Sequence, residues 1–112
     1  MEVAMKFKQA VLAAALVATT CGVALADEVE RGRALVEANC ASCHAVGLEG
    51  DSPLAEAPPF RELHERYDVE MLSEALVEGI VTAHEGMPEF VFQPVEAAEI
   101  IAYLRSLEPK GD

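Results

Sequence analysis

Residues 40–44 read Cys-Ala-Ser-Cys-His, and this run carries the most distinctive chemistry in the chain. Thiols at i and i+3 on a helical turn project from one face. They can add to two vinyl groups on neighbouring rings of one porphyrin, and a histidine next in sequence can turn its imidazole beneath the iron. Cys-x-x-Cys-His is the attachment signal of c-type haem. Cys40 and Cys43 are therefore expected to form thioethers to one covalent haem c, with His44 as an iron ligand. Three other chemistries use parts of the pattern. A thioredoxin-like redox pair shares Cys-x-x-Cys but needs a βαβ context that this sequence does not supply. A zinc site needs four ligands, and only Cys40, Cys43 and His44 cluster; His64 and His84 would complete one only at arbitrary spacing. A plain disulfide gives His44 no role.

The iron needs a sixth ligand or stays open. Gly86-Met87-Pro88-Glu89-Phe90 is the candidate segment, with Met87 as the ligand. A thioether is soft and neutral, favours Fe(II), and in His/Met ligation raises the reduction potential. Gly86 and Pro88 suit a tight loop around it, and Phe90 and Phe92 would pack at the haem edge and exclude water. His84, three residues earlier, is the rival ligand and would give a lower potential. Met71 sits in a helical pattern and reads as core packing. His64, among Arg61, Glu62, Glu65 and Arg66, reads as a solvated helix residue.

The chain that must position these groups has 112 residues, the size of one domain. It carries 8 Lys plus Arg against 20 Asp plus Glu, a formal charge of −12. Nucleic-acid binding needs a basic face and is excluded as a function class. An acidic surface instead steers toward basic patches on partners, more slowly as salt rises. The apolar residues are concentrated in 9–26, preceded by Lys6 and Lys8 and closed by Ala24-Leu25-Ala26 before Asp27-Glu28. A basic start, an apolar middle and a small-residue cleavage site describe a secretory signal peptide. Residues 1–26 are expected to be that signal, and 27–112 a periplasmic domain with no membrane attachment after cleavage. A retained anchor and a lipoprotein cut before Cys21 are the alternatives, and Met5 could be the initiator. Cleavage removes Lys6, Lys8 and Glu2 and leaves two cysteines, Cys40 and Cys43. A domain so small buries too little surface to be secure alone, and a covalent cofactor would staple it.

Three main helices are expected. The first covers 28–42, capped by Asp27, with Gly32, Leu35, Val36 and Asn39-Cys40 inside. The second covers 68–80, capped by Asp68, with Val69, Leu72, Leu76, Val77 and Ile80 at helical spacing and Gly79 as a stop signal. The third covers 94–107, with Pro94 in its first turn and Val95, Ala98, Ile101, Ala102 and Leu104-Arg105 in its periodic set. A short helix is expected around 60–66, and no run alternates at period two. The fold class is all-α, packed around the haem. The proline-bearing loop 45–59 is long enough to suggest that it lies against the cofactor.

Over 28–108 the sequence resembles a small bacterial class I cytochrome c. Cys40-Ala41-Ser42-Cys43-His44 matches the family's attachment motif, and Gly86-Met87-Pro88 its distal-methionine loop. Gly32 stands where the family's first and last helices cross closely, and Tyr103-Leu104 resembles the pair that packs on that glycine. Ala57-Pro58-Pro59-Phe60 resembles the loop whose proline carbonyl accepts the Nδ1 hydrogen of the proximal histidine; Pro58 and Pro59 both stand there, and Pro58 is the preferred one. The resemblance implies a soluble one-electron carrier with redox partner proteins, monomeric or in transient complexes. A subunit of a periplasmic oxidoreductase complex would use the same chemistry, and a labile Met87 would open the iron to a gas or peroxide. His44 and Met87 are only 43 positions apart, so the long loops of mitochondrial-type members are missing, as is their lysine docking ring. No carboxylate dyad, nucleophile constellation or phosphate loop suggests an enzyme.

Overall fold

A computed structural model describes residues 24–79 and 86–111. Most of the expected signal segment, Cys21, Ile80 and the rival ligand His84 lie outside the described residues. Within them the chain is helical with no strand. Helix α1 covers 24–39. A 3₁₀ helix covers Phe60–Glu65, and a 3₁₀ turn, Val69–Met71, leads into α2, Leu72–Glu78. Helix α3 covers Pro94–Ser106.

The ends of these elements follow from side-chain chemistry. The Asp68 carboxylate accepts the Glu70 N–H at 3.0 Å and opens the 3₁₀ turn. Gly79 ends α2 at φ 93°, a conformation that side chains resist. Pro94 starts α3, where its missing N–H costs nothing, and Glu96 reaches back to the Gln93 N–H at 2.9 Å. One expected cap is absent: α1 already runs through Asp27, so that residue lies inside the helix and not at its start.

Helices α1 and α3 cross at Gly32. A Cβ there would lie 1.9 Å from the Glu99 carbonyl oxygen and 3.0 Å from Tyr103 Cβ, so only glycine allows this approach. Beside the crossing, the buried Glu99 carboxylate accepts from Arg31 Nε at 2.7 Å. Val36, Val69, Ile100, Ile101, Tyr103, Leu104 and Leu107 belong to the core. This corrects the face expected for α3. Ala97, Ile100, Ile101, Tyr103 and Leu104 turn inward, while Val95, Ala98 and Arg105 are exposed. The crossing decides the rotation, because it demands that the Glu99 carbonyl and Tyr103 face Gly32.

Met71 is a second correction. It was expected in the core and is 73% exposed. It closes the 3₁₀ turn before α2, and the change of pitch there carries it off the inner stripe of Leu72 and Leu76. His64 also departs from expectation: it is half-buried, and its Nδ1 is sequestered with no hydrogen-bond partner among the described residues.

Candidate haem site

The 40–44 run sits on a turn that prolongs α1. The Cys40 N–H donates to the Val36 carbonyl at 2.8 Å, and the His44 N–H to the Cys40 carbonyl at 3.0 Å. These i to i−4 bonds continue the helical hand beyond 39, which places Cys40 and Cys43 on one side of the turn. The two thiols are not joined to each other. Burial pushes the Cys40 thiol up to about 11 from its ordinary 9.0, so it stays protonated near neutrality.

His44 is buried and tightly held. Its Nδ1 lies 2.8 Å from the Pro58 carbonyl oxygen. A carbonyl only accepts, so Nδ1 carries the proton, and the neutral ring keeps its lone pair on Nε2, the nitrogen that can ligate a metal. The Phe60 ring packs against the imidazole with centroids 4.7 Å apart. The backbone around it is laced together: Phe60 N–H to Ala45 carbonyl at 2.9 Å, Leu54 N–H to Cys43 carbonyl at 3.1 Å, and Ala45 N–H to the Ser52 hydroxyl at 3.0 Å. Tyr103 of α3 donates to the Val46 carbonyl and fastens this loop to the helix crossing.

In front of His44 opens a cleft of about 1140 Å³, including its mouth. Its walls are chiefly apolar: Phe60 and Leu63 from the 3₁₀ helix, Leu72 and Leu76 from α2, Phe90 and Phe92, and Ile100 and Leu104 from α3. An adjoining space of about 490 Å³ is lined by Cys40, Cys43, His44, Leu54 and Met87. The structure thus brings Cys40, Cys43, His44 and Met87 to one cavity, and Pro58 stands behind His44. The Met87 side is lightly built. Gly86 turns at φ 88°, Pro88 and Glu89 are exposed, and Phe90 and Phe92 stack at 5.8 Å.

Several contributors were missed by sequence reasoning. Ser52 holds the loop through its hydroxyl, Phe60 backs the imidazole, and Leu54 lines the mouth. Only Ser52 had a local signal, in the turn-forming Asp51-Ser52-Pro53. Arg66 and Tyr67 also line the cleft, and burial raises the Tyr67 hydroxyl's pKa.

The donor set fits a covalent porphyrin. It offers two unpaired thiols at the right spacing, an imidazole presenting Nε2, a thioether at the same cavity and apolar walls for a flat macrocycle. In an all-α frame this defines a c-type haem protein. The comparisons agree. The family model described as Cytochrome c matches residues 29–108. A cytochrome c-552 of Bradyrhizobium diazoefficiens is 36% identical over 93 residues, 83% of this chain and 88% of the relative. A cytochrome c-553-like protein of Synechocystis is 32% identical over 85 residues, 76% of this chain and 74% of the relative. No solved structure gives a significant match. The chain belongs to the cytochrome c family, small class I monohaem type, and its cofactor is covalent c-type haem, with Cys40 and Cys43 in the attachment motif. Membership gives it the electron-carrier class of function and implies redox partners. Among the described residues, no helix is long and apolar enough to cross a membrane.

Proposed function

We propose that this protein is a soluble periplasmic one-electron carrier whose iron is held by His44 and Met87. Haem c supplies one iron that exchanges a single electron between Fe(III) and Fe(II). The carrying observation is that Cys40, Cys43, His44 and Met87 line one cavity. Cys40 and Cys43 tether the macrocycle, so a small domain cannot lose it. Pro58 fixes the His44 tautomer, orients the ring and raises its basicity. Met87, which lines the same cavity, would supply the second protein ligand, and its soft sulfur would favour the reduced state. Phe60, Phe90, Phe92 and Leu76 keep the cleft largely dry, so a change of charge reorders little solvent.

The ion pairs bear on partners. Arg31, Arg33 and Arg105 are engaged with Glu99, with Glu30 and Glu37, and with Asp68 and Glu70. Glu49, Asp51, Glu56 and Glu89, on the two segments that border the cleft, take part in none of the ion pairs among the described residues. They are available to a partner's basic patch, and such steering weakens with salt. The N-terminal 1–26 serves as the export signal.

The test is direct. The protein recovered from the periplasm of an expressing cell should begin at Asp27 and have the mass of the chain plus one haem. Its absorbance should titrate as a one-electron couple. A retained N-terminus would refute the export reading, and a slope other than one electron would refute the carrier.

A further inference from the structure

Helix α2 ends at Gly79, where φ is 93° and ψ 108°. Its N–H returns to the Ala75 carbonyl at 3.0 Å. The segment that follows Met87 lies across this helix end. Val91 Cγ2 is 3.3 Å, and Glu89 Oε1 2.5 Å, from the position that a Cβ on Gly79 would take. One residue on, the Phe92 N–H donates to the Leu76 carbonyl at 2.8 Å. Leu76 is in the last turn of α2, where a helix leaves its carbonyls without intrahelical partners, so the crossing segment caps the helix. Phe92 is buried and stacked on Phe90, and both rings line the cleft beside Leu72 and Leu76. Met87 lies two residues before Glu89 and lines the same cleft.

We infer that Gly79 is a positioning residue for Met87: the bare end of α2 is the seat on which residues 89–92 rest, and this seat holds the Met87 thioether in place. The inference rests on the reading of Met87 as an iron ligand. The two contacts at Gly79 differ in weight. The Glu89 carboxylate ends a flexible, exposed side chain and can swing aside. The Val91 methyl, at 3.3 Å, must give by a few tenths of an ångström, and the positive φ strains any side chain placed there, so the end of α2 shifts against the segment that rests on it. That movement is passed to Met87 through a few residues of chain. Occupancy of the sixth iron position is thus set partly by α2, through a residue that never touches the haem.

The experiment uses the reduced holoprotein and measures the association rate of carbon monoxide, which needs an iron free of Met87. It also records the far-red band of the oxidised protein, which reports sulfur on Fe(III). Gly50 is the control: its φ of 91° matches that of Gly79, and a Cβ there would meet nothing within 4 Å. Gly79→Ala is expected to speed carbon monoxide binding about tenfold and weaken the far-red band. Gly50→Ala is expected to lower the melting temperature and change neither signal. If both variants lose stability and neither changes the binding rate, Gly79 is merely structural and the inference is overturned. Met87→Ala, run alongside, separates the two claims. If it too leaves the rate and the band unchanged, the ligand assignment itself is wrong. Should Gly79→Ala give no holoprotein, Val91→Ala decides, since Val91 is 69% exposed and its loss leaves the core intact. A rise of about twofold supports the seat, and an unchanged rate overturns it.

Discussion

On the His44 side of the cleft, the imidazole is buried, its Nδ1–H is held by Pro58, and Phe60 packs on its ring. Segments 43–45 and 52–60 are joined by backbone and hydroxyl hydrogen bonds. On the Met87 side, Gly86, Pro88, Glu89 and Val91 are exposed. There, among the described residues, the main-chain tie to the rest of the fold is the bond from Phe92 to Leu76. The first wall is made from one continuous stretch of chain that follows α1. The second is a short segment leaning on the end of a seven-residue helix. Carbon monoxide or peroxide would enter by displacing the lightly tied wall, while the densely bonded wall keeps the cofactor in register.

The widest difference should come from deleting the two proposed iron ligands in turn. His44→Ala should give little or no low-spin holoprotein. Met87→Ala should still attach haem through Cys40 and Cys43 and fold around it. Haem-stained yield from matched cultures checks this, and equal losses in the two variants would remove the asymmetry. Next comes the frame behind both walls. Gly32→Ala forces a Cβ into the Glu99 carbonyl, where the approach is 1.9 Å. Overpacking of this kind should cost about 3 kcal/mol. In a domain this small that lowers the melting temperature on the order of 15 °C. The far-red band of the surviving folded protein should not change, because the crossing touches neither proposed ligand.

The smallest effect concerns Cys40 before haem is attached. Its thiol is pushed up to about 11 by burial, and the thiolate is the reactive form. At pH 8, an alkylating reagent should modify Cys40 in the folded apoprotein more slowly than in the unfolded chain. The sign for stability follows. The unfolded thiol ionises first, near 9.0, so the folded apoprotein loses stability as pH rises from there toward about 11. Equal alkylation rates in folded and unfolded apoprotein would mean that the fold does not shield Cys40.

What could be read in the sequence follows the same division. Cys40, Cys43 and His44 lie on one turn, and Asp68, Gly79 and Pro94 act within a few residues of themselves, so local chemistry located them. The Pro58 carbonyl and the Gly32 crossing were reached through resemblance to the family, because nothing in their own spacing points across 14 or 67 positions. The inner face of α3 was misjudged, since its rotation is imposed by Gly32 and not by its own apolar period. Met71 and His64 failed for a related reason: 3₁₀ segments turn their side chains at a different angle from the α-helical period used to place them.

The central claim is that His44 and Met87 together hold a six-coordinate haem for electron transfer. The absorption spectrum of the purified holoprotein, oxidised and then reduced, tests it most directly when set beside that of Met87→Ala. Sharp reduced bands are expected, with an oxidised far-red band that disappears in the variant. Broad high-spin bands in the unaltered protein would contradict the claim and mark the iron as an open site.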